Sequence, residues 1–340
     1  KSSEEASPGY YKVVLESGVK AELTVSEHIG FHRYTYPAES KKDRYVVIEL
    51  SHSYVGMLNA RLNVHNDHEI TGMIKSLHNS GGGYHTLFFA IVSDIPFESY
   101  TSWKGTDDAG QVAARQGKNI GVWLNFSGNG KNVVRLKVGL SPVSEELAMQ
   151  EVTSGVKGWD FEKVRKNTAS VWKAKLSKME VKGGSEEFKT LFYTHLYHSY
   201  LVPGNSTSSG GVYRAANQPD SLFYTKNTAP DFTYYSTWSL WDDFRKYSLI
   251  SLTEPEIAKN IARSLVDYYK HRNGGDPKYW PTPNIRMEFA GAVIMDAYNK
   301  GLGDFDNEAA FLGMKKDYEK FEDNNVSEKL EKAYHAYFAL

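Results

Sequence analysis

The stretch YYSTWSLWDDFRKYSL, residues 234–249, gathers Trp238, Trp241, Asp242, Asp243 and Arg245 into a short run. Read as one helix, it puts Trp238 four residues before Asp242, Trp241 four before Arg245, and Asp242 three before Arg245, so these side chains share neighbouring faces. An indole can cover the apolar face of a pyranose ring, and a carboxylate can accept two vicinal hydroxyls through its two oxygens. An arginine beside that carboxylate keeps it ionised and holds its rotamer. The same spacing also suits a buried tryptophan pair with an Asp242 to Arg245 ion pair inside the helix, and residue chemistry alone leaves both readings open.

Other chemistries find less support. The chain has 11 histidines, but none stands in an H-E-x-x-H pattern. His195 and His198 are three apart beside Phe192 and Leu196 and read as core histidines satisfied by hydrogen bonds. GDFDNE at 303–308 begins like a calcium loop but lacks the following glycine and the distal glutamate, so it reads as a helix cap. NSGGGY and GGSEEF are glycine-rich without the strand, loop, lysine and helix order of a phosphate loop. Lysine plus arginine number 40 against 41 aspartate plus glutamate, a net charge of -1 that gives no field for nucleic acid or anionic membrane. There is no cysteine, which excludes disulfides, thiolate metal sites and cysteine nucleophiles. No apolar run reaches the roughly 18 to 20 residues of a membrane-spanning helix. Aromatics make up 14% of the chain, a composition that suits surfaces stacking on sugars.

These residues need elements to hold them, and 340 residues favour two domains. From Tyr10 to about Ser141 the hydrophobic period is two. YYKVVLE, KAELTVS, RYVVIELS, EITGMIKS, YHTLFFAIV, NIGVWLNF and NVVRLKVGL read as strands separated by glycine-rich turns, the pattern of a sandwich. After Pro142 the period changes to that of helices. Phe161, Val164, Trp172, Leu176 and Met179 form one face, and Phe188, Leu191, Phe192, Leu196 and Ser199 another. Thr253 and Glu256 are spaced as a capping box before Ile257, Ile261, Leu265 and Tyr269, with a stop at Gly274. GAVIMDAYNKG, NEAAFLGMKKDYEKF and VSEKLEKAYHAYFAL continue as helices. The polar stretch from Val202 to Phe232 reads as a long loop without regular structure, placed at the mouth of a cleft.

Taken in order, the blocks SPGYYKVVL, KAELTVSEHIGFHRYTYP, GWDFEKVRKNTASVWKAKLSKMEVKGG, FKTLFYTHLYHS, WSLWDDFR, IMDAYNKG and VSEKLEKAY resemble the calcium-dependent exo-α-mannosidases of glycoside hydrolase family 92 over residues 7–340. The resemblance implies an N-terminal antiparallel β-sandwich, lacking its first strands, followed by part of an (α/α)6 toroid. It divides the chain into a sandwich at 1–142, a helical linker at 143–182 and a partial helical domain at 183–340. It further implies release of terminal α-linked mannose with inversion, calcium as cofactor, mannose-containing glycans as partners, and a secreted or periplasmic location. In the family's SLWDTYR segment the aspartate contacts sugar hydroxyls. That aspartate matches Asp242, with Trp241 and Arg245 beside it, while Asp243 stands where threonine is usual. The resemblance therefore favours substrate binding by Asp242, Trp241, Arg245 and Asp243.

Departures from the family pattern are also visible. Its D-x-D-G-x-Y loop is STSSGGVYR here, its C-M-x-G-x-H block is RMEFAGAV with only Met287 kept, and its LEYAYDDW block ends as LEKAYHAYFAL. Motifs resembling EGNxxQY, NEPxH and DxDxG, which carry the family's acid glutamate, calcium and sugar ligands and base aspartates, do not occur in the chain. The catalytic residues and calcium ligands are therefore expected beyond Leu340. A non-catalytic carbohydrate-binding or scaffold protein derived from the family is the competing expectation, and a hydrolase of a different linkage or sugar is a third.

Overall fold

Apolar and polar side chains alternate along most of the first 141 residues, and a pleated strand turns that alternation into one buried and one solvated face. A computed structural model describes residues 3–39, 44–78, 82–127, 130–225, 232–236, 239–272, 277–282, 287, 289–320 and 325–339. The chain divides into two units, Lys1–Leu77 with Thr86–Lys182, and His78–His85 with Gly183–Leu340.

The first unit is built on β1 (Glu5–Ser7), β2 (Tyr10–Val14), β3 (Lys20–Ser26), β4 (Ile29–Thr35), β5 (Tyr45–Glu49), β6 (Met57–Val64), β7 (Glu69–Leu77), β8 (Tyr84–Ser93), β9 (Ser99–Lys104), β10 (Asp108–Gly110), β11 (Ala114–Gly117), β12 (Ile120–Asn125) and β13 (Val133–Ser141). One antiparallel sheet runs in the order β1-β2-β3-β4-β13-β8-β7-β6-β11, and a second in the order β10-β9-β12-β5. Val46 of β5 and Ile120, Val122 and Leu124 of β12 pack with Leu62, Ile70, Phe89, Ile91, Val134 and Leu136 of the larger sheet. Two sheets sharing one apolar core make a sandwich, and each such side chain contributes about 1.5–3 kcal/mol on burial.

Helices α1 (Glu145–Gly155) and α2 (Phe161–Leu176) belong to the same unit. Ser144 caps α1 by accepting the Leu147 N–H, and Asp160 caps α2 by accepting the Lys163 N–H. Helix α1 lies against β13 at Gly139, where an added Cβ would stand 2.2 Å from the Ala148 carbonyl oxygen. Phe161 and Val164 of α2 are buried with Tyr10, Ile29 and Phe31, whereas Trp172, Leu176 and Met179 are only half-buried. A buried carboxylate, Glu22, reinforces this corner. It accepts from the Tyr10 hydroxyl at 3.0 Å and from Arg33 at 2.7 and 2.8 Å, and Arg33 also reaches Glu162 of α2 at 2.8 Å. Burial opposes the charge on Glu22, but the hydrogen bonds from Arg33, Lys20 and Tyr10 outweigh it and draw its pKa down to about 2.

The second unit contains α3 (Glu186–Ser199), β14 (Gly204–Asn205), β15 (Val212–Tyr213), β16 (Phe223–Tyr224), β17 (Tyr235–Ser236), α4 (Leu240–Asp243), α5 (Lys246–Thr253), α6 (Pro255–His271), β18 (Tyr279–Trp280), α7 (Ala290–Asn299), α8 (Asn307–Glu319) and α9 (Val326–Ala339). Ile261, Leu265, Tyr268 and Tyr269 of α6 form its core with Val293 and Ile294 of α7, Met314 of α8 and Ile250 of α5. The segment His78–His85 joins this unit from between β7 and β8. His85 pairs with Trp280 in parallel register, and the His78 ring stacks on Trp280 at 4.6 Å, with Tyr268 stacked on the same indole at 5.7 Å.

Two local expectations are corrected here. The stretch from Val202 to Phe232 is not structureless: β14 pairs with β17, β15 pairs with β16, and Tyr213 stacks on Tyr234 at 4.3 Å. Aromatic burial organises a run whose polarity suggested a loop; residues 226–231 lie outside the described residues. The Thr253–Glu256 capping box does not form. Thr253 ends α5 and donates back to the Leu249 carbonyl at 3.1 Å, while Glu254 precedes α6 without a side-chain cap and Pro255 takes the first helical position. Gly274, the expected stop, lies outside the described residues; α6 itself ends at His271.

Candidate functional site

The run at 234–249 is not one helix. It passes from β17 into the short α4, breaks at Phe244 and Arg245, and resumes as α5. Leu240, fully buried, anchors α4. Trp241 packs edge-on against Phe289 at 5.5 Å, and Phe244 stacks on the same ring at 4.4 Å. With those apolar groups turned inward, Asp242 and Arg245 are left exposed to solvent.

The polar partners differ from those expected along a continuous helix. Ser239, rather than capping the first turn, donates its hydroxyl to Asp242 Oδ2 at 3.0 Å. The Arg245 guanidinium lies over the Phe244 ring at 4.4 Å, and no ion pair joins it to Asp242 among the described residues. Asp243 pairs with Lys246 at 2.8 Å and is partly buried. Trp241, Asp242, Asp243 and Arg245 are thus neighbours, but only Asp242 presents a carboxylate without a cationic partner among the described residues. Trp238 lies outside the described residues.

Other residues singled out from sequence separate from this group. His195 and His198 are exposed on α3, which correct a reading of them as core histidines; the buried residue of that helix is Leu196. In GDFDNE, Asp306 accepts the Ala309 N–H at 3.0 Å and caps α8, while Asp304 pairs with Arg263 at 2.6 Å. One polar cluster had no sequence signal. Arg272, buried at the end of α6, bonds to Asp317 of α8 and to the Gly313 carbonyl at 2.7 Å, and the Tyr269 hydroxyl donates to Asp317 Oδ2 at 2.9 Å. These residues are 41–48 positions apart, beyond the reach of any periodicity.

Among the described residues there is no group of three or more His, Asp or Glu side chains that could hold a metal ion. No helix among them is long and apolar enough to cross a membrane.

Residues 1–141 match the N-terminal domain of glycosyl hydrolase family 92, and residues 147–339 match its catalytic domain. The chain belongs to glycosyl hydrolase family 92. A curated relative, an uncharacterized secreted glycosidase of Arthroderma benhamiae, is 29% identical over 245 residues, covering 65% of this chain and 31% of the relative. The family 92 glycosyl hydrolase ccman5 superposes with a TM-score of 0.86 at 25% identity, covering 99% of this chain and 48% of that one. A family 92 alpha-mannosidase of Bacteroides thetaiotaomicron gives a TM-score of 0.85 at 24% identity, again covering 99% and 48%. The family 92 chain described here thus spans about half the length of those solved structures. A β-sandwich unit followed by a helical unit is the architecture it shares with them.

Proposed function

We propose that the whole protein is a secreted glycoside hydrolase that releases terminal α-linked mannose from glycans with inversion, and that the Asp242 group is part of its sugar-binding wall. The observation that carries the site is the exposed Asp242 carboxylate, held by Ser239 and free of a cationic partner among the described residues. Such a carboxylate can accept two sugar hydroxyls, and the exposed Arg245 guanidinium over Phe244 offers a flat surface beside it, with the half-buried Trp241 packed behind on Phe289. The match to the family's two domains supports the reaction class. The alpha-mannosidase among the similar structures and the secreted glycosidase among the relatives support the substrate and the location.

The chemistry itself needs two carboxyl groups on opposite sides of the sugar, about 6.5–9.5 Å apart for inversion. Asp242 and Asp243 are consecutive on α4, and Asp243 is tied to Lys246, so they do not form such a pair. The acid, the base and the calcium ligands are assigned outside this chain. Within the chain, Asp242 binds and orients, and Ser239 fixes its rotamer. Helical segments α3 to α9 form part of the ring that the family resemblance implies.

The test is release of aryl alcohol from an aryl α-mannoside. The 340-residue chain is expected to give no turnover. The longer protein is expected to be active, with Asp242→Asn raising KM and lowering kcat while leaving the unfolding midpoint unchanged. Turnover by the short chain, or full activity of the long Asp242→Asn variant, refutes the assignment. An inactive long protein that still binds mannosides supports instead a carbohydrate-binding protein derived from the family.

A further inference from the structure

Within the first unit, the outer face of the sheet β10-β9-β12-β5 holds a concavity of about 510 Å³ lined by Tyr45, Val47, Ser99, Thr101, Trp123 and Asn125. The pleat explains its composition. Val46, Ser102, Val122 and Leu124 turn inward and are buried, so their neighbours on the same strands turn outward. Cross-strand register arranges those neighbours in rows: Trp123 pairs with Val47 on one side and Thr101 on the other, and Asn125 pairs with Tyr45 and Ser99. In the next row Gly121 stands between Glu49 and Trp103. An added Cβ on Gly121 would lie 2.1 Å from the Trp103 ring, so the missing side chain lets that indole lie across β12. Trp103 then flanks Trp123 with ring centroids 6.0 Å apart.

This face is open where a sheet surface is ordinarily polar. Trp123 is 53% exposed, Val47 55% and Tyr45 46%. The polar groups around them are unspent. The hydroxyls of Tyr45, Ser99 and Thr101 make no hydrogen bond among the described residues, and Asn125 Oδ1 accepts the Ser127 N–H at 2.9 Å, leaving its amide N–H groups for a ligand. No charged side chain lines the concavity. Its volume falls within the about 300–1,000 Å³ of small-molecule sites. A neutral occupant with a flat C–H face and a rim of hydroxyls satisfies all of these features together.

We propose that this face is a second carbohydrate site, which stacks a neutral hexopyranose of a glycan on Trp123 and meets its hydroxyls with Tyr45, Ser99, Thr101 and Asn125. The site is made wholly by the sandwich unit and does not depend on the Asp242 assignment. A hydrolase carrying it would hold a polymeric or branched glycan at a place other than the residue being cleaved.

Native affinity electrophoresis of the chain through gels containing neutral α-mannan, β-glucan or xylan tests this directly. At least one neutral polysaccharide should retard the chain. Trp123→Ala should weaken that retention roughly tenfold, the loss of one stacked ring. Gly121→Ala, whose Cβ would press on the Trp103 ring and on the Ile48 carbonyl oxygen of β5, should weaken it as well, with thermal unfolding followed in parallel to confirm that both variants fold. Asp242→Ala should leave the Trp123-dependent retention in place. The proposal is overturned if no neutral polysaccharide retards the chain, or if a folded Trp123→Ala variant is retained like the parent. It is also overturned if retention depends on Asp242 alone, or if the only effect of Trp123→Ala is to break up a self-associated form on size-exclusion chromatography.

Discussion

Asp242 remains in water because the residues on either side of it do not: Leu240 is buried, and Phe244 is stacked on Phe289. The stretch WSLWDDFR made the group visible in sequence, but not its arrangement. Helical spacing places Arg245 within reach of Asp242, but it could not show that the guanidinium lies over the Phe244 ring instead of pairing with that carboxylate. Phe289, which orients both Trp241 and Phe244, is far along the chain, and tertiary contacts of that kind carry no local pattern. The Arg272–Asp317 pair lies at the same scale. Its guanidinium is buried, and removing the carboxylate leaves that charge without its counter-ion. Asp317→Ala should therefore cost about 3–5 kcal/mol in urea-induced unfolding, whereas Asp242→Ala, at an exposed position, should cost less than about 0.5 kcal/mol. Equal losses from the two substitutions would show that the buried pair is not holding α6 to α8.

Among elements, the strands read from alternation at 10–16, 20–26, 44–51, 69–76, 84–92, 119–126 and 132–140 each coincide with a strand of the sandwich. Strands β4 and β9 escaped that reading because IGFHRYT and SYTSWK carry polar or aromatic residues where an apolar period would have marked them, whereas β6 alternates as regularly at Leu58, Ala60, Leu62 and Val64 as the strands that were read. The first two are held by neighbours: β4 lies between β3 and β13, and β9 between β10 and β12. The corner formed by β2, β3, β4 and α2 has a pH signature. Glu22 titrates at about 2 in the folded protein, below the usual value for a free glutamate. A depressed carboxylate pKa adds stability that is fully present above the unfolded value and is lost as pH falls through the folded one. Unfolding free energy should thus decline from about pH 4.5 toward pH 2, and Glu22→Gln should flatten that decline while lowering stability at neutral pH. A decline of the same steepness in the Gln variant would move the acid sensitivity to other carboxylates.

For the molecule as a whole, the helical unit shows apolar surface at positions where helical period predicts a buried face. Phe188 and Leu191 on α3, and Leu330, Tyr334 and Tyr337 on α9, are exposed. Five large apolar side chains in water invite either self-association or a covering partner. The 340-residue chain should accordingly bind a dye such as ANS and aggregate on heating. Leu330→Lys together with Tyr337→Lys should reduce both without lowering the unfolding midpoint, because both side chains lie mostly in water. A parent chain that unfolds as a monomer with no dye signal would show that these faces are closed in solution.

The insertion of His78–His85 among the helices has an implication for how such proteins can be recombined. A boundary drawn at residue 182 separates most strands from most helices, yet a gene cut there leaves behind the ring that stacks on Trp280 and the strand that pairs with it. The helical half is therefore not a portable cassette. Ancestral exchange between family members, or a chimera made at the bench, must carry the β7–β8 connection and the helices from the same parent, so the two coding segments are inherited as one unit although about a hundred codons lie between them.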